Sequence, residues 1–142
     1  MNMKLRIVLL SGVIFSVLSC SEKKKEEWKE FSDYHALMSI VYHPLKDSGD
    51  LAPAKRMAKK LALSADRLAS APLPANVNNE KVKLMVLKLN EDSQALSMEI
   101  LKGAPDDVIK EKLTALHSEF HQLMETWEGG DQHDEKHEEE ED

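Results

Sequence analysis

Apolar residues recur at alternating intervals of three and four along most of this chain, the spacing that lines one face of an α-helix. Trp28, Phe31, His35, Met38, Tyr42 and Leu45 trace a first stripe. Lys46-Asp47-Ser48-Gly49 reads as a turn, with Asp50 as an N-cap and Pro53 tolerated in the first turn of the next helix. Leu51, Ala54, Ala58, Leu61, Ala65 and Leu68 form a second stripe, whose alanines imply a close helix approach. Ala71-Pro72-Leu73-Pro74 breaks it. A third helix is expected over about 78–102 through Val82, Met85, Leu89, Leu96 and Ile100, with Ser93 weakening its seam. Gly103 fits a C′ position and Pro105 an N1 position, and Asp106 and Asp107 suit the positive end of a fourth helix dipole. Ile109, Leu113, Leu116, Phe120, Leu123 and Trp127 carry that helix to Gly129-Gly130.

Four amphipathic segments with short connections, and no competing strand pattern, predict an all-α, antiparallel up-down-up-down four-helix bundle over residues 28–128. Trp28, Phe31, Phe120 and Trp127 should pack together toward one end. With residue 45 level with residue 105, His35 falls level with about residue 115, close to His117. His43 then lies roughly 15 Å higher at ~1.5 Å per residue, unless the helix breaks at Pro44.

The ends of the chain read differently. Lys4 and Arg6 precede an apolar run, Ile7 to Leu18, that is too short to span a bilayer. It ends in Val17-Leu18-Ser19-Cys20, which resembles the bacterial lipobox. The resemblance implies that residues 1–19 are a lipoprotein signal peptide and that Cys20 is acylated, with palmitate for example. Residues 20–27 then form a charged tether to a membrane of the bacterial cell envelope. Ser21 differs from the Asp that resembles an inner-membrane retention signal, which points to the outer membrane, facing the periplasm or the cell surface. Cys20 is the only cysteine, so an intramolecular disulfide and a Cys-based zinc site are both excluded. Residues 129–142 are acidic and of low complexity, and are expected to be a disordered tail.

Charge narrows the partners. The chain has 19 basic and 26 acidic side chains, and loss of Lys4 and Arg6 with the signal leaves a net charge of −9. Such a balance opposes nucleic acid and favours cations. The sequence shows no Gly-rich phosphate loop, nucleophile elbow or acid–base constellation, so no enzymatic activity is expected.

Six histidines supply the candidate chemistry. His35 falls in the first stripe with Met38 three residues on, so that a nitrogen and a soft sulfur share one face. The bland alternative is a core histidine bonded to a neighbour. His117 and His121 are four apart, a spacing at which two imidazoles can grip one ion. His43 sits on the facing shoulder of the first helix. The candidate ligands are therefore His35, His117 and His121, completed by Met38 or His43, for copper, zinc, nickel or cobalt. In the tail, His133 and His137 stand among carboxylates that could hold a metal loosely or simply keep the chain soluble.

Leu116-His117-Ser118-Glu119-Phe120-His121-Gln122-Leu123-Met124-Glu125, with His35-Ala36-Leu37-Met38 and Tyr42-His43-Pro44, resembles small exported bacterial proteins built as His-rich four-helix bundles. That resemblance implies heavy-metal handling, with an envelope efflux or transport system as protein partner. The layout is also similar to the soluble periplasmic four-helix cytochromes b. By that likeness Met38 (or His35) and His121 would ligate haem b in an electron-transfer protein. No Cys-x-x-Cys-His is present to attach haem covalently, and His43 and His117 have no place in that scheme. A third reading is a structural or adaptor lipoprotein that binds a protein and no ligand.

Overall fold

The computed structural model describes residues 27–128. Cys20, the signal and tail segments, His133 and His137 lie outside the described residues. Helix α1 spans Lys29–Ser48, α2 Ala52–Ser70, α3 Glu80–Leu101 and α4 Asp106–Glu128. A single 3-10 turn, Ala75–Val77, lies between α2 and α3. Each helix packs on its neighbours in chain order and α4 returns to α1, giving the four-helix bundle. Among the described residues no helix is long and apolar enough to cross a membrane.

The helix ends follow from short-range chemistry. Gly49 ends α1 in the left-handed region at φ 73°, and its N–H bonds the Leu45 carbonyl at 2.9 Å. That bond is the αL cap, and the Asp50 N–H adds a second to the Pro44 carbonyl at 3.1 Å. Gly103 at φ 76° ends α3 differently: its N–H bonds Ile100 and that of Ala104 bonds Glu99, the paired Schellman pattern. A side chain at either site would have to adopt this strained backbone. The N-cap of α2 is Leu51, with no side-chain cap, one residue past the expected Asp50, whose carboxylate still accepts the Ala52 N–H at 2.8 Å; Asn79 caps α3 by accepting from Val82 at 3.0 Å.

Pro44 lies inside α1 and removes the bond that Ile40 would have accepted, yet the helix continues to Ser48. The expected turn at 46–49 is thus mostly helix. This extension moves the register of α1 against α4. Trp28 meets Trp127, and both Tyr34 and His35 meet Phe120. His35 therefore lies level with Phe120 and not with residue 115.

The core also corrects the first stripe. Its buried line on α1 is Trp28, Phe31, Tyr34, Met38, Val41 and Leu45. His35 is exposed and Tyr42 half-buried, each one position round the helix from the buried residue. Tyr34 is fully buried, and its hydroxyl bonds Ser93 Oγ on α3 at 3.0 Å. Ser93 in turn donates to the Leu89 carbonyl at 2.7 Å, so Tyr34 is the donor to Ser93. Ser93 is thus a satisfied polar anchor between α1 and α3, where the pattern alone suggested a weak spot.

The expected aromatic cluster is present. Trp28 stacks on Phe31 at 5.2 Å and meets Trp127 edge-on at 5.4 Å, and Phe31 stacks on Phe120 at 4.9 Å. Such ring pairs add to the apolar burial.

Candidate functional site

The four described histidines gather along the groove between α1 and α4. Four-residue spacing stacks His117 and His121 on one flank of α4, half-buried, with ring centroids 4.3 Å apart. Their Nε2 atoms are 3.0 Å apart, a hydrogen bond if one ring carries its proton there and the other does not. From α1, the Tyr42 ring lies flat on His117, with centroids 3.6 Å apart and planes 12° from parallel. Tyr42 thus serves the site as a wall, a role hidden by reading it as part of the core stripe. The signal was its spacing: His43 is its neighbour, and both sit opposite the helix turn that bears His117.

Electrostatics follow from this placement. Burial first, and then the fields of His121, His43, Lys46 and His35, hold His117 at about 4, against its ordinary 6.5. A ring in that state is neutral at pH 7, so a nitrogen lone pair is available. His43, which the expected register held well above the site, acts on His117 because α1 sits further along α4 than its stripe suggested. His35 rests its ring on Phe120, with centroids 5.1 Å apart, and so stands on the flank beside the pair.

One candidate is placed elsewhere. Met38 is 1% exposed within the core, so its sulfur packs among apolar side chains. A haem held between Met38 and His121 would have to part that core and break the His121–His117 contact. Among the described residues, no set of three or more His, Cys, Asp or Glu side chains is gathered as metal ligands. The structure brings His117 and His121 together and leaves His35 and His43 nearby on α1.

A second polar cluster, between α3 and α4, escaped the sequence reading. Lys88 donates to both Asp92 and Glu119. Burial raises Glu119, with the adjacent Asp92 adding to the shift. Burial also opposes the charge of Asp92, but the bonds from Lys88 and Glu119 prevail and hold that carboxyl below its ordinary range. Each carboxylate is thus compensated by a lysine or by the other carboxyl, which is the behaviour of a structural ion network.

No family model, curated protein or solved structure matches the chain.

Proposed function

We propose that this protein is an envelope lipoprotein, anchored through Cys20, that binds a transition-metal ion at the α1–α4 groove. The observation that carries the reading is the pair of Nε2 atoms 3.0 Å apart, one of them on a ring kept neutral well below pH 7. With metal–nitrogen bonds of about 2.0–2.1 Å, two neighbouring ligand positions are about 3 Å apart. The pair can therefore close on an ion with little movement. His117 and His121 form the anchor. His35 and His43 reach in from α1 by side-chain rotation, and water fills the remaining positions. All these donors are imidazoles, which suits copper(II), zinc, nickel and cobalt; burial of the Met38 thioether removes the feature that would have favoured copper(I).

The test is titration of the metal-free chain with each of the four ions at pH 7.5, read by calorimetry and by melting temperature. One tight equivalent should raise the melting temperature, because the ion binds the assembled groove of the folded state more tightly than the unfolded chain. Replacing His121 by Ala should abolish that equivalent, whereas replacing His137 by Ala should leave it intact. Retention of the bound ion in His117→Ala/His121→Ala would overturn the reading. An intense Soret band on protein purified from its host would replace it with haem.

A further inference from the structure

Helix α3 carries a second apolar stripe on the side turned away from its own core. Leu84, Leu87, Met98 and Leu101 are all exposed, Leu84 at 65% and Leu101 at 80%. With Glu91 and Gln94 between them, the six positions step 3-4-3-4-3, the a/d seam of a coiled coil. The interval pattern reads the same in both directions.

We propose that a second copy of this chain docks on the outer face of α3, with the two α3 helices antiparallel about a twofold axis. Reversal about the middle of the seam sets Leu84 against Leu101 of the second copy and Leu87 against Met98. It also sets Glu91 against Gln94. Gln94 lies close to the axis and donates to the Ala62 carbonyl at 3.0 Å and to Asn90 at 3.2 Å. Turning the longer bond from Asn90 to the opposing carboxylate gives each Glu91 a partner. That central polar layer sets the register, because a slip by one heptad would set Glu91 against an apolar residue.

A feature of α2 supports the same axis. The Gln94–Ala62 bond places Leu63 beside the centre of the seam. Leu63 is itself half exposed and lines a groove with Gln94, Met98 and Leu101. The twofold brings Leu63 toward its own copy and so closes this groove from both sides. Of the six large exposed apolar side chains among the described residues, only Ile40 lies off this face. An isologous contact requires such a self-complementary patch. The seam is about 25 Å long at ~1.5 Å per residue, so the interface is near the lower size limit for a specific contact and association should be micromolar.

Among the described residues, the buried side chains of the bundle core all lie within residues 28–127, so a chain of residues 20–142 with Cys20→Ser retains all of them and has no native thiol. Sedimentation equilibrium on this chain should show a monomer–dimer equilibrium. Leu84→Glu with Leu101→Glu, both at exposed positions, should keep the helical circular dichroism and weaken dimerisation at least about tenfold. Leu84→Cys alone and Leu101→Cys alone should form no disulfide dimer on mild oxidation, whereas a mixture of the two should cross-link. A chain that stays monomeric at 100 μM would overturn the proposal, as would cross-linking of Leu84→Cys to itself, which marks a parallel pair. Association seen only with phosphatidylglycerol vesicles would also overturn it and assign the face to a membrane.

Discussion

The α2 side of the bundle and the α1–α4 side are built from opposite materials. On α2, Ala54, Ala58, Ala62 and Ala65 are all buried, and α1 and α3 approach it closely. Between α1 and α4 the contacts are rings: Trp28, Phe31, Tyr34 and His35 from α1 meet Phe120 and Trp127 from α4. The α1 and α4 backbones approach each other closely at fewer points than those of any other neighbouring pair. Small side chains close a helix interface and leave no room for chemistry. Large planar ones hold it open, and the half-buried margin of that wider groove is where His117 and His121 sit. The candidate site therefore depends on the aromatic packing behind it.

This contrast can be broken from either side. The largest effect should come from Phe120→Ala, which removes the ring shared by Phe31, Tyr34 and His35. It should cost about 3–5 kcal/mol by urea unfolding, as for other buried aromatic truncations. Ala65→Leu should do the reverse, forcing α2 off its neighbours at a cost of about 1–3 kcal/mol. Ala65 is 1% exposed, so the added atoms have no solvent to enter. If Phe120→Ala were harmless while Ala65→Leu unfolded the chain, the α2 seam alone would be holding the bundle together.

A smaller effect probes the one polar link through the core. Ser93→Ala leaves the Tyr34 hydroxyl buried without its partner and should cost on the order of 1–3 kcal/mol. Adding Tyr34→Phe removes the stranded hydroxyl and should recover part of the loss. A double mutant as unstable as the sum of the two singles would show that the Tyr34–Ser93 bond contributes nothing.

The four helices, their order, the Gly103 cap and the aromatic end were legible because each rests on local spacing. The choice within the first stripe was not. Positions 34 and 35, and 41 and 42, are about 100° apart on a helix, and either pair continues a 3-4 pattern. What separates them is tertiary: Tyr34 has Ser93 to satisfy its hydroxyl inside the core, whereas His35 lies exposed with its ring against Phe120. A serine in the middle of an apolar seam was the available clue, since a buried hydroxyl needs a partner. Relative height failed for a second reason. Ending the first helix at Leu45 ignored the reach of α1 through Pro44 to Ser48, and that extra length carries His35 to the level of Phe120 and His43 toward His117. The His117–His121 pair was legible because it lies on one helix and needs no register.

The smallest expected effect concerns acid and isolates His117. In the unfolded chain this ring titrates near its ordinary 6.5, and in the fold at about 4. Between those values the unfolded state binds more protons than the native state, so stability falls as pH falls from 6.5 toward 4 and levels off below. Above 6.5 the ring is neutral in both states and adds no slope. Partial solvent access screens the shift, which leaves a contribution on the order of 1–2 kcal/mol. Asp92 is lowered and Glu119 raised from their ordinary values, so other groups also add to the acid dependence and wild type alone does not isolate the histidine. The difference between wild type and His117→Gln does, because glutamine carries no proton to titrate. Urea unfolding at pH 7.5, 6, 5 and 4 should show the wild type losing its advantage over His117→Gln as the pH drops. Parallel curves for the two proteins would mean that His117 is not depressed in the fold, and would remove the support that a ring held neutral well below pH 7 gives to the metal-site proposal.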